Sequence, residues 1–306
     1  MALPAFGDMV EGDNKLPTHA GEAMAARLAE NSYGKHQVRF SKVRRPRQAA
    51  PKDERHELVE VCVDVELTGD FAAAYTDGDN RSVVATDTCK NTVYVVAKDD
   101  PLDSIESYGV ALATHFIDRY EHVSECAVSL RETVWDRLND CPHGFAARDR
   151  ATPTATVHAK RGSAPVVHAG VADLVIAKTT ESGFVDFHRD EFRTLADTDD
   201  RILATQMTAE WRYAEPTVDY PAARAAVVEA LLARFLDHYS RSVQETLYFM
   251  GDAALAACVQ AAAIELTMPN KHHLLANLGP FDRENDNEVF VVTDEPFGYI
   301  NAKVTR

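Results

Sequence analysis

Cysteine is sparse and unpaired in this chain. Its five cysteines, Cys62, Cys89, Cys126, Cys141 and Cys258, are odd in number, widely spaced and never form a CxxC pair. They offer no zinc framework and fit thiols kept reduced. There is no P-loop and no dinucleotide-binding glycine fingerprint, so no metal and no cofactor is expected. No apolar run approaches the length of a membrane-spanning helix. Residues 1–32 lack the charged and then apolar regions of a secretory leader. Lys303-Val-Thr-Arg306 is not a Ser-Lys-Leu peroxisomal address. The expected location is cytoplasmic. Positive charge is also short: 32 basic residues stand against 48 acidic ones, a formal net charge of −16. Nucleic acid and anionic membranes are therefore poor partners. An anionic ligand would need local positive groups to overcome that field.

What the chain does have is enough apolar residue to fold. At 306 residues and 45% hydrophobic, it can form one large domain or two ordinary ones. Residues 1–32 read as an appended segment, with a short helix possible over Ala23–Glu30. Strand signals begin near Gly34, and residues 44–57 form a charged, proline-containing loop. Val59, Val61, Val63, Val65 and Leu67 alternate with Glu60, Cys62, Asp64 and Glu66, a strand with one buried and one wet face. Asp103-Ser-Ile-Glu106 reads as a capping box before a helix through Ile105, Leu112, Phe116 and Tyr120. Alternation returns at Cys126–Leu130 and at Ala155–Ala159, and Arg161-Gly162-Ser163 is a turn at the middle of the chain. The second half repeats the plan. Strands cover Val166–Ala177 and Leu203–Tyr213, and Asp219 and Pro221 open a helix. Another helix runs from Val243 to Cys258, and strands at 260–268, 272–278 and 288–293 close the chain. Strand–strand–helix–helix–strand–strand, twice over, makes an α+β chain of two tandem modules, 33–161 and 162–306.

The stretch Val83 to Lys98 stands out. A β-rich run leads into Thr86-Asp87-Thr88, all good N-cap residues, and then into a second apolar run. A helix N-terminus presents unpaired N–H groups and a partial positive charge, which suits an anion. Most such sequences are plain caps. This one, Ala85-Thr-Asp-Thr-Cys-Lys-Asn-Thr-Val-Tyr94, closely resembles the signature of the urate oxidase (uricase) family. Further matches follow in order: Tyr33-Gly34-Lys35, Phe184-Val-Asp-Phe-His-Arg-Asp-Glu191, Asp200-Arg201-Ile-Leu, Ser242-Val-Gln244-Glu-Thr-Leu-Tyr248 and Pro269-Asn270-Lys271-His272. The resemblance runs from about Tyr33 to about Val292.

The resemblance implies the T-fold, or tunnelling fold, in which antiparallel sheets of several subunits close into a barrel with helices outside. It implies a homotetramer that oxidises urate with dioxygen to 5-hydroxyisourate and hydrogen peroxide, in purine degradation, with no cofactor. Ring closure would also remove the exposed sheet edges. Lys35 and Thr86 match the family's catalytic dyad, and His272 the third member of its proton relay. Arg201 and Gln244 match the purine clamp, a guanidinium fork and an amide. Phe184 matches the stacking aromatic, Val243 and the main chain of Thr86 and Asp87 add contacts, and Asn270 matches the residue that holds dioxygen or water over the ring. In the family, Lys35, Thr86 and Asp87 come from one subunit and the others from its neighbour. Each residue also has an ordinary alternative: a solvated lysine at Lys35, a salt bridge from Arg201 to Asp199 or Asp200, core packing at Phe184, and a satisfied loop histidine at His272. Two rival functions remain beside urate oxidation. One is a zinc-dependent T-fold enzyme of pterins or guanine nucleotides, for which Cys141 and His143 are the one close Cys/His pair. The other is a purine-binding homologue that has lost catalysis.

Overall fold

The computed structural model describes residues 26–45 and 55–306. The charged loop lies largely outside the described residues. So does the start of the expected N-terminal helix, and residues 26–32 are not helical. The first half runs β1 (Tyr33–Arg44), β2 (Glu57–Gly69), α1 (Ala72–Thr76), α2 (Thr86–Asp99), α3 (Ile105–Arg119), β3 (Val123–Thr133), β4 (Trp135–Arg137), β5 (Phe145–Ala147) and β6 (Thr152–Lys160). The second half runs β7 (Val166–Lys178), β8 (Leu203–Tyr213), α4 (Tyr220–Leu236), α5 (Val243–Ala257), β9 (Ala261–Thr267), β10 (Asn270–Leu275), β11 (Phe290–Gly298) and β12 (Asn301–Thr305).

Ten strands join one antiparallel sheet in the order β1-β2-β3-β6-β7-β8-β10-β11, with β9 also on β8 and β12 on β9. The halves are continuous through the β6–β7 hairpin, where Gly162 takes φ +78° and meets nothing that a side chain would touch. There glycine is needed for its conformation. Val61, Val63, Val65 and Leu67 are fully buried on the helix-covered face. Each contributes roughly 1.5–3 kcal/mol relative to an exposed side chain. Glu60, Cys62, Asp64 and Glu66 stay on the wetter face. The helix α3 lies close on the sheet because Gly109 has no side chain, so that Leu130 and Val157 pack where a Cβ would sit. Across that layer the carboxylate of Glu106, on α3, is buried and paired with Arg224 on α4. Arg224 also donates to the carbonyl of Thr154 at 3.1 Å and lies over Trp211.

Several local expectations need correction. Val83–Ala85 is not a strand, and Thr86, Asp87 and Thr88 are not caps. The cap is Ala85, with no side-chain hydrogen bond, and the three residues form the first turn of α2. The cap of α3 is Ser104, one residue beyond the expected Asp103, and its Oγ accepts from Ser107 N–H at 3.0 Å. Glu106 is drawn to Arg224 rather than back to the cap. Asp219 caps α4 as expected, through Ala222 N–H at 3.1 Å. The strands β2 and β3 on either side of this helical stretch were anticipated, but α1, the β4–β5 hairpin and β12 were not.

One feature of β8 positions the site. Its first residues pair with β10, Ala204 with Lys271 and Thr205 with Asn270, while Thr208 to Tyr213 pair with β9 on the same edge. The chain passes from β9 to β10 through Met268 and Pro269. That exchange of partners opens the sheet beside the start of α5.

Candidate active site

A cavity of about 500 Å³ lies at this opening, and Phe184, Arg201, Val243, Gln244, Asn270 and His272 all line it. Its volume suits a small molecule. Arg201 follows the loop after β7, where its N–H donates to Ser182 O at 2.9 Å. Its guanidinium is 5.2 Å from the centroid of Phe184, and Nε is 3.4 Å from Ser182 Oγ. The expected alternative, an ion pair with Asp199 or Asp200, does not form. Asp200 instead accepts from Thr180 Oγ1 at 2.9 Å, and Asp199 offers its carbonyl to Tyr239. Burial pushes the Arg201 guanidinium below its ordinary pKa, as expected for a cation in a desolvated place.

Phe184 is fixed by paired backbone hydrogen bonds with Thr198, at 2.7 and 3.1 Å. Phe187 stacks on its ring at 4.6 Å with planes 10° apart, so one face of Phe184 is backed by a second aromatic. Val243 and Gln244 are the first two residues of α5, whose cap Ser242 accepts Glu245 N–H through its side chain and Thr246 N–H through its carbonyl, at 3.2 Å. The N–H groups of Val243 and Gln244 have no helical partner and carry the positive end of the dipole. Behind them Thr246 donates to Ser240 Oγ at 2.6 Å and meets His238 Nε2 at 2.9 Å. Burial pushes the pKa of His238 down. Asn270 opens β10, and the register against β11 shifts between Asn270 and His272, an irregularity of the kind that re-aims side chains. The neighbouring Lys271 is tied to Asp294 at 2.5 Å.

Lys35, Thr86 and Asp87 line none of this cavity. They lie elsewhere, Lys35 on β1 and Thr86 and Asp87 in the first turn of α2, which packs against that strand. Val84 N–H donates to Tyr33 Oη at 2.7 Å, which ties the approach of α2 to β1 two residues from Lys35. Gly34 allows β1 to come this near to β2, since a Cβ there would stand 1.7 Å from Val65 O. Lys35 is close enough for its charge to act on Asp87 and Cys89. The carboxylate of Asp87 is held below the usual range, first by its hydrogen bond from Lys90 and also by Asn91 and Lys35. Its side chain is thus occupied within α2, leaving its main-chain N–H free at the helix start.

Along the sheet, β1 and β10 are six strand spacings apart, on the order of 29 Å at about 4.8 Å each. The structure therefore brings six of the nine expected site residues together and holds the other three as a second group. Sequence patterning had not marked Phe187 or the apolar wall of Leu195, Leu274, Leu275, Phe290 and Ile300. Phe187 sits outside any strand or helix, where no periodicity points to it. Cys141 and His143 lie in the β4–β5 connection, with the His56 ring 6.3 Å from that of His143. Among the described residues, no group of three His, Cys, Asp or Glu is placed to hold a metal ion. No described helix is long and apolar enough to cross a membrane.

One broad antiparallel sheet, helices packed on its apolar face and a small-molecule cavity at a strand exchange define an α+β enzyme of the T-fold class. Residues 31–158 and 167–301 match the Uricase family model. Uricase of Arthrobacter globiformis is 40% identical over 279 residues, covering 91% of this chain and 90% of that protein. Uricase of Dictyostelium discoideum is 38% identical over 287 residues, covering 92% and 98%. The crystal structure of the Arthrobacter globiformis uricase aligns with a TM-score of 0.87 and 40% identity, over 92% of this chain and 96% of that one. A uricase structure from Bacillus fastidious, 24% identical, shares the fold at a TM-score of 0.76, over 92% and 94%. The chain belongs to the uricase family and is an oxidoreductase, a urate oxidase.

Proposed function

We propose that this urate oxidase works without a cofactor at a site completed by two copies of the chain within a homotetramer. The supporting observation is the division just described: the purine-clamp residues converge on one cavity, while Lys35 and Thr86 stand outside it, on β1 and on the first turn of the helix packed against β1. The divide between first-half and second-half residues follows the two modules, 33–161 and 162–306. Closing β1 of one copy toward the cavity of another would also cover open sheet edges.

At such a site the Arg201 fork and the Gln244 amide hold the polar edge of urate. Phe184, backed by Phe187, takes one face of the purine. The start of α5, at Val243, and the start of α2 from the other copy, at Thr86 and Asp87, turn positive helix ends toward the anion. Those local fields oppose the long-range repulsion of a chain with net charge −16. Lys35, acting through the Thr86 hydroxyl, removes a second proton, and His272 passes protons between that dyad and water. The resulting dianion is electron-rich enough to reduce dioxygen held over the ring by Asn270. Two electrons and two protons leave the urate as hydrogen peroxide. One water adds its oxygen, giving 5-hydroxyisourate. The protein supplies position, proton transfer and charge stabilisation.

Purified full-length chain mixed with urate should abolish the near-ultraviolet absorbance of urate, consuming dioxygen and releasing peroxide. That turnover should survive exhaustive chelation. Activity lost on chelation and restored by one metal would overturn the cofactor-free scheme, and no turnover at all would mark a binding homologue.

A further inference from the structure

We propose that Asp64, acting through the main chain of Gln37, is a positioning residue that sets which face of β1 presents Lys35. The inference rests on the catalytic role of Lys35 proposed above.

Side chains alternate strictly along a regular strand, so residues three apart point to opposite faces. Lys35 and Val38 are three apart. Yet Lys35 stands opposite Val65, and Val38 stands opposite Val63. Both partners are fully buried on the helix-covered face, so Lys35 and Val38 share that face. Two residues of β1, His36 and Gln37, are matched by one of β2, Asp64, a one-residue β-bulge at His36–Gln37. With regular pairing Val38 would keep its place in the core, and Lys35 and Tyr33 would both turn to the wetter face, away from α2. Tyr33 would lose Val84, and Lys35 would lose the neighbourhood of Thr86 and Asp87. The bulge is therefore what joins Lys35 to the start of α2.

This bulge uses an unfavourable backbone state. Gln37 has φ +57°, a region that glycine enters freely and longer side chains avoid. What holds it is Asp64. The Gln37 N–H donates to Asp64 Oδ1 at 2.6 Å, and Gln37 Nε2 reaches the same oxygen at 3.4 Å. Cys62 Sγ is 3.6 Å from Gln37 Oε1. A hydrogen bond to a carboxylate is stronger than one to a neutral acceptor. Among the described residues, the carboxylate of Asp64 accepts from no group other than Gln37. Strained residues of this kind persist where their surroundings over-determine them.

The test is steady-state urate kinetics on the assembled enzyme. Asp64→Leu should lower kcat about tenfold or more with KM little changed, since small displacements of a catalytic group are costly. Asp64→Asn, which keeps an acceptor oxygen, should lose less. Adding Gln37→Gly to Asp64→Leu should restore most of kcat, because glycine takes φ near +57° without a clamp. In a Lys35→Met background, Asp64→Leu should reduce kcat no further. If Asp64→Leu does not assemble, Asp64→Ser, too short to reach Gln37, takes its place. Undiminished kcat, a change confined to KM, or no rescue by Gln37→Gly would overturn the proposal. If Lys35→Met itself leaves kcat intact, the catalytic role of Lys35 fails, and the positioning role with it. If Lys35→Met abolishes turnover and Asp64→Leu does not lower it, only the positioning role is wrong.

Discussion

Lys35→Met should lower kcat by roughly a hundredfold or more, the usual scale of a positioned general base, with KM changed far less. Lys35 lies on β1 beside the N-terminus of α2, outside the cavity lined by the purine-clamp residues. Its proposed contact with the reaction is through the Thr86 hydroxyl, so removing it leaves ground-state binding nearly intact. Methionine keeps an unbranched apolar stem where Lys35 shares its face with the buried Val38, so the fold should tolerate the change. Steady-state kinetics with urate decide the matter. Normal kcat with raised KM would make Lys35 a binding group. Loss of the folded assembly would make it a structural one.

Arg201→Ala should act at the other end of the reaction. Its guanidinium is half-buried, lies over Phe184 and, among the described residues, touches only Ser182 Oγ by hydrogen bond. A cation so placed has its fork free for a ligand. Losing a charge-assisted bidentate contact in a desolvated site costs on the order of 2–4 kcal/mol, or roughly thirty- to a thousand-fold in affinity. Because the edge of urate is held alike before and during proton removal, the loss should fall on KM and on the Kd of a non-oxidisable purine analogue. A fall in kcat at saturating urate, with analogue binding unchanged, would instead place Arg201 in transition-state stabilisation alone.

The two groups of residues differ in how they could be read from the chain. The strand β2 was plain because Val59 to Leu67 alternate without interruption, and α4 because Asp219 and Pro221 are strong start signals. The start of α2 was placed one to three residues late, since Thr86, Asp87 and Thr88 are all capping types and nothing local chooses among them. The true cap, Ala85, has no side-chain acceptor. In the same way Glu106 fits a capping box by spacing, but its carboxylate pairs with Arg224, more than a hundred residues away. No local pattern encodes that contact. Neither the bulge at His36–Gln37 nor the exchange of β8 partners between β10 and β9 leaves a mark in hydrophobic periodicity. Both emerge only from pairing across strands. The candidate site was legible because its motifs match a family whose chemistry is particular to those residues. Phe187 lies within the matched segment Phe184–Glu191, but its role went unread because stacking on Phe184 in an irregular segment follows no periodicity.

The most direct test is co-assembly of two damaged chains. Thr86→Ala removes the proposed relay hydroxyl from one half-site, and Arg201→Ala removes the clamp from the other. Each protein alone should be nearly inactive at low urate. If the site is shared between copies, random mixing leaves roughly a quarter of the sites with both residues intact in a closed symmetric assembly. Chains co-expressed, or denatured and refolded together, should then regain a corresponding share of wild-type activity, while the same proteins assembled separately and then mixed should not. Mixed assemblies no more active than either parent would contradict a site built from two copies.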